Sequence, residues 1–380
     1  MLKRHSNSVH VIMAVLIIVC SFSTTLAAYA DTLNETGTTK THVYIGSEYG
    51  ALKEVVVGEA SGLNPSLEAA WLQEALKVLP EAEQKVAIDN AGKSWDECIV
   101  GAEGGITEYD LIKAENDEFV RILESLGVTV YRPTLLSQQD VETLYGSEAL
   151  INGYSQDFPR DNLIIIGNNV IEANLRTPLR RTDIEGLRSL LTEKCSVAQV
   201  KWTAMPHMPL LGEYSNDSPL LEGGDIIVLG KTILVGNSAN ASVGSNEAGY
   251  EWLKNYLGNE YDVVRVPLCE NVLHLDCALS VPRNGLAIIC PDAFEEGIPE
   301  ILMDWDLIEV GMEKLQYLVV NGLPIDENTY VMGYNENEDN SEIKEALEKR
   351  GITVYPIFFG AHNAQGGSLR CATQALLRED

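Results

Sequence analysis

Positive charge is scarce in this chain: 27 lysines and arginines stand against 56 aspartates and glutamates in 380 residues, a formal net charge of −29. Such a surface repels nucleic acid and anionic lipid, so neither is expected as a partner, whereas cationic small molecules are tolerated. Cysteine is sparse as well. There are seven, none in a CxxC pair and none at metal-ligand spacing with the six histidines, so no metal centre is expected. Long apolar runs are missing beyond the first thirty residues, and no membrane helix is expected there.

Residues 1–30 read as a signal peptide. Lys3 and Arg4 precede an apolar run from Val9 to Cys20 that is too short to span a bilayer, and Ala28-Tyr29-Ala30 supplies a small-x-small cleavage pattern. Cleavage near Ala30 would release an exported, periplasmic or secreted protein with a net charge of −31 and six cysteines. Residues 31–48 read as a flexible N-terminal segment, and 49–380 as one catalytic domain with an insertion near 60–110.

The domain shows an α/β pattern that repeats. Each unit has an apolar strand, a tight turn, a second strand, a helix and a last strand. The clearest copy runs through "NLIIIGNNVIEANL", a helix over 183–194 and "VAQVKWTA". Similar units begin at "DIIVLGKTILVG", "CALSVPRNGLAIIC" and "GLPIDENTYVMGY". A first unit, from "LKEVVVG" to "VTVYRP", is split by the insertion, which carries an amphipathic helix near Pro65–Leu79. β-branched runs bounded by turn residues mark the strands, and apolar spacing of three and four marks the helices. One such unit cannot bury its apolar face alone, so five in a row predict packing about a common axis, a five-bladed pseudosymmetric α/β propeller.

Polar motifs stand at one phase of this repeat. "FPRD" (158–161) precedes the second unit, "LEGGD" (221–225) opens the third, "ENVLHLD" (270–276) precedes the fourth, and "QGGSLRC" (365–371) follows the fifth. Taken singly, these read as a surface turn, a tight turn, a core histidine and a buried thiol. Four at one phase predict a shared pocket. It would hold Cys371, His274 and four acids: Asp161, Glu222, Asp225 and Asp276. A thiol beside a histidine is a nucleophile with its acid–base partner. The surplus of carboxylates suits a planar cation rich in N–H donors, because guanidinium meets carboxylate in a two-point fork.

These motifs, with "WTAMPHMPLL" (202–211), resemble the guanidino-modifying enzymes of the pentein superfamily. That group includes arginine–glycine amidinotransferases, arginine deiminases and dimethylarginine hydrolases. The resemblance spans about Tyr49 to the C-terminus. It implies a five-bladed α/β propeller, no cofactor, and small-molecule substrates: arginine or a related guanidine and an amine acceptor. It implies Cys371 as nucleophile, His274 as acid–base and Glu222 as the carboxylate holding that histidine. Asp161 and Asp276 would grip the guanidinium, with Asp225, Asn271 and Arg370 on the substrate side.

The reading favours an amidinotransferase acting through an amidino-cysteine intermediate, on the spacing of "GGSLRC" and on "NNVIEANL". Arg370 before the cysteine, "LEGGD" and the ending "ALLRED" lean toward a deiminase. An exported binder of arginine-like cations without turnover, and a homo-oligomer, also remain open. Strand alternation predicts that Cys277 points away from the Asp276 side and forms no bond with Cys371.

Overall fold

The computed structural model describes residues 43–379 apart from 78, 80, 101–104, 198 and 208–216. The expected signal peptide, residues 31–42 and part of "WTAMPHMPLL" lie outside the described residues. The compact unit begins at Val43, six residues before the expected boundary. Val43, Ile45, Ser47 and Glu48 are all buried, so this stretch is part of the core. No helix among the described residues is long and apolar enough to cross a membrane.

Five three-stranded sheets share one design, an antiparallel pair whose central strand also takes a parallel third. In the second sheet Leu163–Ile166 pairs antiparallel with Asn169–Glu172, which runs parallel to Lys201–Ala204. The third uses Ile226–Leu229, Thr232–Ser238 and Asp262–Leu268. The fourth uses Leu279–Arg283, Leu286–Ile289 and Asp306–Glu309. The fifth uses Leu323–Asp326, Thr329–Tyr334 and Thr353–Phe358. Strands such as "LIII" and "IIVL" are buried at every residue, as strands covered on both faces must be. Gly167, Gly230 and Gly285 sit at the hairpin turns with positive φ, which a side chain would disfavour.

The first sheet departs from sequence order. Ala51–Val57 runs parallel to Thr129–Tyr131, but its antiparallel partner is the last strand, Thr373–Glu379. The "ALLRED" ending is therefore the missing hairpin strand of the first unit. Helices follow the central strands where the spacing allows. The helix Glu108–Ser125 is capped by Thr107, whose Oγ1 accepts from Asp110 N at 3.2 Å, and it buries Ile112, Phe119 and Leu123. The helix Glu247–Leu257 is capped by Asn246. In the insertion the expected 65–79 helix shrinks to Ala70–Ala75, and a second helix forms at Glu81–Asn90. The expected helix near 298–305 is only a 3-10 turn, Glu300–Leu302, entered from Pro299. The 183–194 helix starts as a 3-10 turn containing Gly186 and becomes α-helical from Arg188.

The segments that lead into the five hairpins are joined in a closed circuit of hydrogen bonds. Gly224 N donates to Asp161 Oδ1 at 3.2 Å, and Leu275 N to Asp225 Oδ1 at 3.0 Å. Asn321 Nδ2 donates to the Asp276 carbonyl at 3.2 Å, and Asn321 Oδ1 accepts from Cys371 N at 3.1 Å. Arg160 N donates to the Cys371 carbonyl at 3.3 Å and closes the ring. Residues far apart in sequence are thus held around one point.

Closure of the first sheet by the C-terminal strand has a measurable consequence. Leu376 is fully buried in the largest apolar cluster, together with Val55 and Val57. Leu376→Ala is expected to lower unfolding free energy by about 2–5 kcal/mol, the usual range for a buried leucine truncation. Urea titration followed by tryptophan fluorescence measures it. A loss below about 1 kcal/mol would show that this strand is not part of the cooperative core.

Candidate active site

The ring is tight because glycine lets backbones approach. A Cβ at Gly223 would lie 1.9 Å from the Arg160 carbonyl oxygen. A Cβ at Gly224 would lie 2.5 Å from His274 Nδ1 and 3.0 Å from Asp161 Oδ1, and one at Gly367 would enter the Phe158 ring. The double glycines of "LEGGD" and "QGGSLRC" answer to these approaches.

Six of the eight site residues expected from sequence come together. Cys371, His274, Glu222, Asp161, Asp225 and Asp276 are all buried at the ring. Cys371 Sγ is 3.7 Å from Asp276 Oδ2. His274 Nε2 donates to Glu222 Oε2 at 2.6 Å. His274 Nδ1 is buried, has no hydrogen-bond partner, and stands 3.7 Å from Asp161 Oδ1. Asp225 accepts from Ser245 N at 2.8 Å and from Leu275 N, so it braces the backbone beside His274.

The other two lie differently. Asn271 is exposed, outside the buried group. Arg370 is 2% exposed and faces inward. It donates to Asp276 Oδ2 at 2.8 Å, to both oxygens of Glu48 at 3.0 and 3.1 Å, and to the Ile226 carbonyl at 2.7 Å. Four of its five N–H groups are engaged this way, so Arg370 holds Asp276 in place rather than facing a ligand.

Cys277 also differs from expectation. Leu275–Cys277 is a 3-10 turn, not a strand, so alternation does not apply. Its thiol lies 3.7 Å from Asp276 Oδ1. All six cysteines among the described residues are free thiols, and Cys277 and Cys371 are not bonded to each other.

Charge in this buried space is balanced by several partners. Burial raises the Cys371 thiol well above its ordinary range, and the carboxylates of Asp276 and Asp161 raise it further. Burial works against a charged His274, but Asp161, Asp225 and Glu222 outweigh it and raise the ring well above its ordinary value. Burial likewise works to raise Glu222, and the hydrogen bond and charge of His274 overcome it and leave the carboxyl lowered. Burial pushes Asp225 up to about 6 against the pull of His274 and Ser245. These shifts favour the protonated thiol at Cys371 and the protonated ring at His274.

Several participants carried little sequence signal. Arg180 donates from Nη1 to Asp161 Oδ2 at 3.3 Å and pairs through Nε with Asp183 at 2.5 Å. Arg176 donates its backbone N to Glu222 Oε1 at 2.8 Å, and its side chain reaches the Ala241 and Gly244 carbonyls. Glu48 fell in the stretch expected to be flexible. Burial opposes its charge, but Arg370, Arg160 and Arg378 hold it down to about 2. Asn321 stands at the same phase of the fifth unit as the other motifs, and that position was its one available signal. Among the described residues no group of three or more His, Cys, Asp or Glu side chains is placed to hold a metal ion.

Comparison with known proteins places the chain among enzymes of guanidines. The family described as N,N dimethylarginine dimethylhydrolase, eukaryotic, matches residues 109–378. An L-arginine:L-lysine amidinotransferase of Pseudomonas savastanoi pv. phaseolicola is 28% identical over 362 residues, covering 87% of this chain and 93% of that protein. Inosamine-phosphate amidinotransferase 1 of Streptomyces griseus is 24% identical, covering 87% and 95%. The solved structure of an amidinotransferase from the saxitoxin biosynthetic pathway of Microseira wollei aligns with a TM-score of 0.69 at 23% identity, over 89% of this chain and 98% of that one. The last likeness establishes a shared α/β fold.

The fit between Gly224 and the imidazole generates a prediction. Gly224→Ala would force His274 away from Asp161. Catalytic efficiency is expected to fall at least about a hundredfold, with circular dichroism unchanged. Steady-state kinetics on a fully folded sample that showed less than a threefold loss would contradict this placement of the ring.

Proposed function

Because the chain belongs to the N,N dimethylarginine dimethylhydrolase family, we propose that it modifies guanidines as an amidinotransferase, moving the amidino group of arginine or a related guanidine to an amine acceptor. The observation that carries this is His274 Nδ1, a buried donor with no partner beside the carboxylate of Asp161. Buried donors are nearly always satisfied, and the leaving nitrogen of a guanidine can take this proton once sulfur has added to the central carbon and restored its lone pair. The similarity to two amidinotransferases over almost their full length supports transfer over hydrolysis.

The chemistry follows from the charges. A guanidinium lodged between Asp161 and Asp276 offsets the two carboxylates that keep the Cys371 thiol protonated. The thiol then ionises, losing its proton to solvent. Sulfur adds to the central carbon. His274 gives the Nδ1 proton to the departing amine as the C–N bond breaks, leaving an amidino group on Cys371. The acceptor amine attacks that carbon and returns a proton to His274, and the C–S bond breaks to release the new guanidine. Glu222 orients the ring and stabilises its charged form. Asp161 and Asp276 already hold Arg180 and Arg370, but a carboxylate has about four acceptor sites, so a second guanidinium can bind each.

A second reading, hydrolysis with water as the attacking group, is favoured by the family's own description. Incubation with arginine, with and without glycine or lysine, separates the two. The transferase reading expects sustained release of ornithine, and a new guanidine, only when acceptor is present, with ornithine limited to the amount of enzyme when it is not. Citrulline and ammonia formed equally without acceptor would establish the hydrolase. The reading also includes export, on the leader pattern of residues 1–30.

The clamp can be tested apart from the acceptor. Asp161→Asn and Asp276→Asn each weaken a charge-assisted pair to the guanidinium, and each is expected to lower kcat/KM for arginine by about a hundredfold or more. Near-normal kinetics in both would place the guanidinium elsewhere.

A further inference from the structure

A second buried histidine lies nine residues before the nucleophile and takes no part in the chemistry above. His362 is fully buried, and both of its ring nitrogens face acceptors. Nδ1 is 2.6 Å from Glu115 Oε2, and Nε2 is 3.1 Å from Asp157 Oδ1 and 3.2 Å from Asn116 Oδ1. A neutral imidazole has one donor and one acceptor nitrogen, so acceptors on both sides require the doubly protonated cation. The ring stacks on Phe359 at 3.8 Å between centroids, and Phe158 meets it edge-on at 6.1 Å.

The cation joins three segments that carry the site. Glu115 and Asn116 belong to the helix Glu108–Ser125. Glu115 also accepts from the backbone of Ala361 at 2.8 Å and of His362 at 3.1 Å, which fixes the start of the segment leading to Cys371. Asp157 directly precedes Phe158-Pro159-Arg160-Asp161. Phe158 lies against Gly367, whose carbonyl accepts from Asn363 Nδ2 at 3.0 Å. We propose that the buried His362 cation is a positioning residue, setting the Gly366-Gly367 loop of Cys371 against the segment that carries Asp161.

If the ring lost its second proton, either Glu115 or Asp157 would lose its ring donor and both would lose the neighbouring positive charge. Asp157 Oδ2 is already buried without a hydrogen-bond partner. The other ionisable neighbour is Glu108, which accepts from Gln365 and is raised first by burial and then by the Asp157 charge. Among the described residues, the side chains that bond to the ring or pack on it are Glu115, Asp157, Asn116, Phe158 and Phe359, none of them basic. Burial opposes the charge on His362, but Asp157 and Glu115 push its pKa up to about 9. A pKa raised above the unfolded value gives stabilisation that is complete below about 6.5 and is lost as pH rises through about 9.

The inference rests on Cys371 as the reactive thiol, and its test does not require turnover. Inactivation by 2-chloroacetamidine, a small cationic electrophile, reads the reactivity of Cys371 directly. Wild type, His362→Gln and Glu115→Gln are compared between pH 6 and 10, with folding followed by circular dichroism. In His362→Gln the inactivation rate, and kcat where arginine is turned over, are expected to fall at least about tenfold at pH 7, with KM changed by less than about threefold. Adding Asp157→Asn to His362→Gln is expected to recover at least about threefold, because the carboxylate left without its cation is removed. If His362→Gln does not fold, Glu115→Gln carries the test. Its alkaline fall in reactivity is expected at least about half a pH unit below that of wild type, because one of the carboxylates that raises His362 has gone. A His362→Gln protein within twofold of wild type, or an alkaline fall unmoved in Glu115→Gln, would overturn the proposal. Absence of arginine turnover in wild type would instead overturn the proposed reaction and leave this test intact.

Discussion

Everything at the site depends on the closed circuit of hydrogen bonds among the five segments that enter the sheets. Each link is ordinary, a backbone or amide donor on a carbonyl or carboxylate between 3.0 and 3.3 Å. Their effect comes from closure. Three of the acids expected at the site take part: Asp161 and Asp225 accept through their side chains, and Asp276 through its carbonyl. The links that hold the backbones together therefore also fix the carboxylates of Asp161 and Asp225 directly, and the backbone from which the Asp276 carboxylate projects. Asn321 is the most economical member, since one amide binds the backbone of both Arg370 and Cys371 and reaches back to Asp276. The C-terminal strand continues from Cys371 into the first sheet, so the nucleophile is anchored on both sides.

The second constraint is electrical. Buried carboxylates are costly unless paired, and this site keeps a cation near each group of them. Arg370 serves Asp276 and Glu48, Arg180 serves Asp161 and Asp183, and His274 serves Glu222. Asp161 and Asp276 keep acceptor capacity for one further cation, and while it is absent they hold the thiol protonated. Binding and activation are then a single event on the proposed reading.

Much of this was legible in the sequence, for a definite physical reason. Hairpins with β-branched strands and glycine turns leave strong local patterns, and the recurrence of the unit located Cys371, His274, Glu222, Asp161, Asp225 and Asp276 at one phase. What escaped notice was what local pattern does not encode. Glu48 meets Arg370 across 322 residues of chain, and nothing in "GSEYG" points that way. The resemblance placed Arg370 on the substrate side, as an arginine before the cysteine is in arginine deiminases, yet here its guanidinium is taken up by Glu48, Asp276 and the Ile226 carbonyl. The resemblance matched Asn271 to a substrate-side asparagine, and its side chain is exposed rather than part of the buried group. The alternation expected for Cys277 failed because a 3-10 turn replaces a strand there. The parting of the first sheet between the two ends of the domain was hidden by the order of its strands.

The central claim is that Cys371 carries the amidino group between donor and acceptor. The direct measurement is intact-protein and peptide mass spectrometry of wild type, acid-quenched after mixing with arginine and no acceptor, so that only the first half-reaction can occur. An adduct with the mass of an amidino group on the peptide containing Cys371, lost on addition of an amine acceptor and absent in Cys371→Ser, is the result expected. An unmodified Cys371 after arginine in enzyme that turns over once acceptor is added, or undiminished turnover by Cys371→Ser, would contradict the account.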